Sequence, residues 1–421
     1  MKKLTALCLA LCLVGSAVPF VDVGELPAIT ANATDQSGDC GDNGDNVKWN
    51  FNDKTGTLVI SGNGAMGDWV YGYPSYAGYS VDVSQDVYTI IIKDGVTHIG
   101  ETAFSGFSNV TSISIPESVE SIGSGAFSGC STLSSITIPD SVKSIGSSAF
   151  ANCTNLQNID LPSGITYIED YTFGGCRFLN SISIPDGVTF IGMSAFSSSG
   201  LNEVAIPDSV TILGEEAFAY CDKLVSVTLP DNGLRIRNRA FSNSGLTSIT
   251  IPASITDTGA VTFDHCENLE SVMILDGVKT IGDGAFEYCT SLISVTIPKS
   301  VTSIGYQAFN ECPKLQDVFI FSTDCEFDSC GITISGNPTI HGYPNSTAQT
   351  YAENCGLEFI PISNYLTGDL NGDGNLTVTD VIEFNQKLHS RQALPKNCDM
   401  NGDNIVNVID LALLKRALLN K

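Results

Sequence analysis

Positive charge is what this chain most conspicuously lacks. It has 20 Lys and Arg against 46 Asp and Glu over 421 residues, a net charge of −26. A field of that sign repels nucleic acid and anionic membrane surfaces, so a general polyanion-binding role is excluded. Charged residues of either sign make up only 16% of the chain, below the usual quarter. Only four His are present, and none lies in a His-Glu-x-x-His motif. There is no Gly-x-Ser-x-Gly elbow, no phosphate-binding Gly-x-x-x-x-Gly-Lys-Ser/Thr and no Cys-x-x-Cys pair. These absences remove the common signatures of metalloproteases, serine hydrolases, nucleotide enzymes and structural zinc sites. Long apolar runs are missing beyond the N-terminus, so no later segment reaches the length of a membrane span.

What is present is 43% hydrophobic residues, enough for a sizeable core, and 40 Gly. Lys2 and Lys3 precede an apolar run from Leu4 to Val14, with Pro19 and small residues beyond. This pattern predicts a secretory signal peptide cleaved at Ala31-Asn32-Ala33, with Ala17 as a second candidate. Among the 14 Cys, Cys8 and Cys12 fall within the signal. Cys130, Cys153, Cys176, Cys221, Cys266, Cys289 and Cys312 recur at one position of a repeat, as small buried hydrophobes do. Cys40, Cys325, Cys330, Cys355 and Cys398 remain, and Cys325 with Cys330 is a candidate bridge.

The repeat dominates the chain. Phe104, Phe127, Phe150, Phe173, Phe196, Phe218, Phe241, Phe263, Phe286 and Phe309 recur at a nearly constant interval. Most units read Phe-x-x-Cys-x-x-Leu; two read Phe-x-x-Ser-Gly-Leu, at Phe196–Leu201 and Phe241–Leu246, and are shorter by a single position. There Gly is expected to permit a tighter bend. The first half of a unit alternates apolar and polar, as in Ile136 and Ile138, and reads as a strand that Pro139 stops. The Ala-Phe-x-x-Cys half is too short for an amphipathic helix and reads as a turn. One unit cannot bury its apolar face alone; stacked units can, with strands about 4.8 Å apart. The expected fold is mainly β, a parallel β-solenoid.

This repeat resembles the BspA-like leucine-rich repeats of bacterial surface and secreted proteins, which implies an interaction or adhesion module. The segments Val47–Phe51 and Gly56–Gly62 alternate like a hairpin and resemble that family's N-terminal cap. Thr339–Tyr343 through Phe359–Pro361 resembles its closing segment. Outward strand positions form a hydroxyl ladder, including Ser112, Ser114, Ser135, Thr137, Ser226, Thr228, Ser248 and Thr250. Such pairs solubilise a sheet and also offer a polar docking face for a glycan or protein. Asn158, Asp160 and Glu203 interrupt it and are the first contact candidates. Acids after the strand Pro, such as Asp140 and Asp231, read as turn residues. Trp69, Tyr71, Tyr73, Tyr76 and Tyr79 crowd one loop and are expected to cover the solenoid's open end. Asp264-His265-Cys266 has the composition of a nucleophilic site, but Cys266 sits on the repeat ladder. No catalytic residue is assigned.

A sharper motif closes the chain. Asp369, Asn371, Asp373, Asn375, Thr377 and Asp380 fall at positions 1, 3, 5, 7, 9 and 12 of one loop. Asp399, Asn401, Asp403, Ile405, Asn407 and Asp410 occupy the same positions of a second. That spacing wraps oxygens around a hard cation, as EF-hand loops do, and each loop runs into one helix. The duplicated loop-helix resembles a type I dockerin. The resemblance implies two Ca²⁺ ions held by those positions, Asn375 and Ile405 through backbone carbonyls. It also implies a cohesin domain of a scaffoldin as partner. Its contact positions fall on Val378, Thr379, Asn385 and Gln386 in the first half, and on Val408, Ile409, Lys415 and Arg416 in the second.

The chain is thus expected to comprise a signal peptide (1–33), an N-terminal cap (34–86), about ten repeats (87–321), a C-terminal cap and linker (322–364) and a small all-α calcium-binding dockerin (365–421). The reading is a secreted, non-catalytic protein, extracellular or scaffold-associated. Its solenoid would bind a protein or polysaccharide while its dockerin docks it to a cellulosome-type scaffold. The alternatives are a polysaccharide-degrading, glycoside-hydrolase-type cellulosomal enzyme and a host-directed adhesin.

Overall fold

A computed structural model describes residues 36–42, 44–68, 84–328, 333–362, 368, 370, 378–390, 398–400 and 406–419. The aromatic loop of Trp69 to Tyr79 lies outside the described residues. The N-terminal cap is three antiparallel strands, Gln36–Gly41, Gly44–Asn52 and Thr57–Gly62. The last of these also pairs parallel with Thr89–Ile92, Leu58 opposite Ile90. The hairpin thereby supplies the first rung and covers what would be an open sheet edge.

From there the chain winds a parallel β-solenoid of about twelve turns. One face is the expected sheet, with rungs such as Ser112–Ser114, Ser135–Thr137, Asn158–Asp160 and Ser226–Thr228, each with its central apolar residue inward. Residues 181–184 keep the alternation of side chains but form no strand. A second row of strands, not anticipated from the sequence, forms two short ladders, Ser121–Ile122 with Ser144–Ile145, and Tyr167–Ile168 with Phe190–Ile191 and Ile212–Leu213. Between the main sheet and this row, Val142 N–H donates to the Pro139 carbonyl at 3.1 Å, so the strand-ending proline also closes the turn.

The third side is the Ala-Phe-x-x-Cys segment, and it is all turn. The positions two before and two after each Phe adopt left-handed backbone: Ser148 (φ 59°) and Asn152 (φ 58°) around Phe150, Val261 (φ 49°) and His265 (φ 55°) around Phe263. The alternation aims every second N–H along the solenoid axis. Ser148, Phe150 and Asn152 donate to Asp170, Thr172 and Gly174 of the next turn at 2.8, 3.0 and 2.7 Å. A left-handed L-residue costs about 1–2 kcal/mol, and each hydrogen bond returns roughly 0.5–1.5 kcal/mol net. With three inter-turn bonds for two such positions, the arrangement is about neutral, and burial decides the fold.

That burial is a spine of phenylalanine. The ten repeat Phe rings are fully buried and stack turn on turn, with neighbouring centroids between 5.0 and 5.7 Å and planes within 18° of parallel. The ladder cysteines line the same core. Each thiol donates to the Phe carbonyl of the preceding turn: Cys130 to Phe104 at 3.4 Å, Cys153 to Phe127 at 3.1 Å, Cys289 to Phe263 at 3.3 Å. In the two short units Ser199 and Ser244 take the thiol's place, 3.3 and 3.2 Å from Cys221 and Cys266 of the next turn. The glycines that follow work differently from the expectation. Gly200 and Gly245 have no left-handed backbone. A Cβ on them would stand 2.2 and 2.1 Å from the carbonyl oxygens of Arg177 and Asp222. They are needed for close approach between turns.

All seven ladder cysteines are buried and free. Burial pushes the thiols of Cys153 and Cys312 up to about 12 and those of Cys221 and Cys266 to about 11. The thiolate is the reactive species, so these groups should resist a bulky maleimide at neutral pH until the solenoid is denatured. Mass spectrometry after a native pulse would check it; rapid labelling of several ladder positions would contradict this packing.

The solenoid closes on helix α1, Thr347–Cys355, and strand Phe359–Pro361, which pairs with Thr339–Gly342. Ser346 caps α1 by accepting the Gln349 N–H, and Gly356 ends it in left-handed backbone at φ 68°. Tyr351 stacks on Phe327 at 4.3 Å, sealing the last turn. The candidate bridge between Cys325 and Cys330 does not form, since Cys325 is a free, buried thiol. The disulfide engages Cys355, whose partner lies outside the described residues.

A second, separate core gathers Leu370, Phe384, Cys398, Leu411 and Leu414. It is built on α2 (Val378–Ser390) and α3 (Val408–Leu419), the two helices expected after the loops. Among the described residues no helix is long and apolar enough to cross a membrane.

Candidate functional site

The C-terminal module carries its site at the two helix starts. Asp380 and Asp410, the twelfth loop positions, are fully buried. Asp380 Oδ1 accepts the Leu370 N–H at 2.8 Å, and Asp410 Oδ1 accepts the Met400 N–H at the same distance. Leu370 and Met400 hold the second position of each loop. Each terminal aspartate therefore folds the start of its own loop back onto its helix, in the same way in both halves. Asp410 Oδ2 also accepts the Asn407 N–H at 2.8 Å. Both carboxylates sit in the first helical turn, where the helix dipole favours an anion.

Asp399 and Asn407 are half-buried. Asp369, Asn371, Asp373, Asn375, Thr377, Asn401, Asp403 and Ile405 lie outside the described residues. The residues that are described fit a hard cation. Two fully buried carboxylates sit at the ends of oxygen-rich loops, a costly burial that a bound cation offsets.

The helices divide cleanly into two faces. Val381, Phe384 and Leu388 of α2, and Leu411 and Leu414 of α3, enter the shared core. Opposite them, Val378 and Val408 are each 66% exposed, and Thr379, Asn385, Gln386, Lys415 and Arg416 are exposed as well. The side chain of Ile409 is outside the described residues. Residues 378, 382, 385 and 386 share one helix face by their i, i+4, i+7 and i+8 spacing, and 408, 412, 415 and 416 repeat that spacing on α3. Sequence reasoning missed Ile382, which is 50% exposed. An apolar residue four positions after Val378, off the core stripe, was the available signal.

The solenoid has no comparable convergence. Asn158, Asp160 and Glu203 are exposed on the main sheet, as expected, with Asn158 beside Ser135 and Asp160 beside Thr137 on adjacent rungs. Asp140 and Asp231 accept the N–H of Ser163 and Ser254 on the following turn, so these acids serve the turns. The apparent triad falls apart. His265 Nδ1 meets Asp264 Oδ1 at 2.8 Å and its ring stacks on Tyr288 at 4.3 Å. Cys266 faces the core, donates to the Phe241 carbonyl and pairs with Ser244. Among the described residues no group of three His, Cys, Asp or Glu converges as metal ligands.

The model of the BspA type leucine rich repeat region matches residues 84–202 and 189–316. The chain belongs to that family. The type I dockerin model matches residues 367–419, on the second module. Among solved structures, a leucine-rich repeat protein from Bacteroides ovatus is 28% identical, covering 76% of this chain and 98% of that one, with a TM-score of 0.54. A leucine rich cell surface protein from Faecalibacterium prausnitzii is 26% identical over 75% and 93%, with a TM-score of 0.43. No curated protein matches the chain. The repeat and dockerin types are non-catalytic, and a BspA-type dockerin-bearing chain is an extracellular or surface kind of protein. The dockerin implies docking to a cohesin in a cellulosome-type assembly; the repeats imply protein interaction.

Proposed function

We propose that this is a secreted, non-catalytic binding subunit. Its solenoid holds a protein or polysaccharide, and its calcium-loaded dockerin fixes that cargo to a scaffoldin cohesin. The observation that carries the docking half is the matched pair of buried loop-closing aspartates, Asp380 and Asp410, each beneath an exposed helix face. Asp369, Asn371, Asp373, Thr377 and Asp380 hold one Ca²⁺, with the Asn375 carbonyl. Asp399, Asn401, Asp403, Asn407 and Asp410 hold the other, with the Ile405 carbonyl. The ion supplies no reaction chemistry; it organises the loops that aim Val378, Ile382, Asn385 and Gln386, and Val408, Lys415 and Arg416, at the cohesin.

Immobilised type I cohesin should retain the full chain one to one in calcium. The captured complex should then retain a glycan or matrix protein from a purified panel, with no release of reducing sugar from cellulose, xylan or pectin. Turnover abolished by one carboxylate substitution would replace this reading with the enzyme alternative. Retention of host matrix protein alone would favour the adhesin.

A further inference from the structure

The turn face of the solenoid holds a depression of about 400 Å³, lined among others by Ser128, Ser148, Asn152, Tyr171, Arg177 and Ser198. It spans four turns and lies away from the hydroxyl ladder of the main sheet. Its cause is legible in the repeat. The second position after each Phe is small here, Gly129, Asn152, Gly175 and Ser198, and then becomes Tyr220, which is exposed and ends the row. Phe196 begins one of the short units, so the turn beyond Arg177 lacks the residue that would stand beside it.

The lining is chemically unlike the rest of the chain. It contains hydroxyls, an amide, a tyrosine and one guanidinium, and no Asp, Glu or Lys, in a protein with 46 acids and 20 bases. Arg177 makes no ion pair or side-chain hydrogen bond among the described residues. Beside it Phe178 is 54% exposed, with Lys223 Nζ 5.6 Å from its ring centroid. Neither Phe178 nor Lys223 lines the depression, so Arg177 is its one cation and Tyr171 its one aromatic ring.

We infer that this depression binds a saccharide carrying an isolated carboxylate, a uronic-acid residue on an otherwise neutral glycan. The inference deepens the proposed cargo-binding role of the solenoid and rests on it. Serine hydroxyls and the Asn152 amide donate to and accept from sugar hydroxyls. The Tyr171 ring offers an apolar face to a pyranose, and the Arg177 fork matches a carboxylate bidentately. A single unpaired guanidinium does not suit a phosphorylated or sulfated polymer, and the chain's net negative field opposes any polyanion at long range. A peptide would need an apolar hole for a side chain, and this lining offers none. The volume lies within the range of ligand sites, about 300–1,000 Å³.

The test uses the full calcium-loaded chain. Calorimetry compares a xylo-oligosaccharide bearing one glucuronic acid with the same oligosaccharide lacking it. The acidic ligand should bind about tenfold more tightly or better, because charge-assisted hydrogen bonds exceed neutral ones. R177Q should remove that preference and leave the melting temperature unchanged. Y171N, a residue type that tolerates left-handed backbone, should weaken both ligands. Equal affinity for the two sugars, or an R177Q variant that keeps the preference, would overturn the inference. So would Arg177-dependent binding of a peptide C-terminal carboxylate in preference to the sugar. If the chain still retains another glycan or protein from the panel, the cargo reading survives that failure; if it retains nothing, both fall.

Discussion

Removing calcium will unfold residues 365–421, abolish cohesin binding and leave the solenoid's β signal in place. The module is small, and its core among the described residues gathers only Leu370, Phe384, Cys398, Leu411 and Leu414 as buried side chains. Domains of that size are marginal without a staple. Each loop gathers three aspartates, Asp369, Asp373 and Asp380, then Asp399, Asp403 and Asp410. Of these, Asp380 and Asp410 are removed from water altogether. Without a cation those charges repel, and the backbone N–H groups and helix termini that face Asp380 and Asp410 offset only part of the burial. Free calcium a thousandfold above its Kd would contribute about 4 kcal/mol by mass action, a large part of what so small a domain has.

Asp380→Ala and Asp410→Ala each delete a proposed ligand and the hydrogen bond that closes a loop, so each should imitate chelation. Because Leu370 and Phe384 share one core with Cys398, Leu411 and Leu414, damage to either half should spread to the other. Hydrogen exchange on the full chain separates the modules: α2 and α3 should lose protection in chelator while the Phe-spine turns keep theirs. A cohesin pull-down that survives excess chelator would overturn the calcium-dependent reading.

The two modules were legible in the sequence to different depths. A period carried by Phe, Cys and alternating Ile through most of the chain is a long-range signal, and it placed the main sheet and the buried thiols. The second row of strands was hidden because each rung, such as Ser121–Ile122 or Ser144–Ile145, is too short for alternation to register. The left-handed pairs were hidden for another reason. At Tyr171, Val261 and Tyr288 they fall on residues that do not favour such backbone, held there by bonds to neighbouring turns that no local composition reveals. Gly200 shows the same limit, because its reason lies in the Arg177 carbonyl, one full turn earlier in the chain. The proposed calcium ligands are named from the sequence alone, because their spacing is local. The exposed face of Ile382 needed the helix's packing side to be known first.

Phe218→Ala should be among the most destabilising single changes in the solenoid, by about 3–5 kcal/mol. Phe218 is fully buried, with ring neighbours on both sides, Phe196 at 5.0 Å and Phe241 at 5.6 Å. Truncation leaves a ring-sized void between two turns that cannot close, because the strand ladders on the other faces fix their separation near about 4.8 Å. Phe309→Ala is the control. It is equally buried, but among the described ring contacts it stacks only on Phe286, at 5.3 Å. It should cost less by about 0.5–1.5 kcal/mol, the worth of one aromatic pair. Position also changes the kind of unfolding. In a stacked array each turn touches only its neighbours, so a central void weakens the coupling between the two ends. The N-terminal part retains the hairpin cap and the C-terminal part retains α1, so each can melt separately. Both tryptophans, Trp49 and Trp69, precede the repeats in the sequence, and Trp49 lies in the N-terminal hairpin. Their fluorescence should therefore report one part while circular dichroism reports the whole. For the parent chain the two urea transitions of the solenoid should coincide; for Phe218→Ala they should separate, and for Phe309→Ala they should stay together. Coincident curves with a loss below about 1 kcal/mol in the central variant would mean that the spine is not what couples the turns.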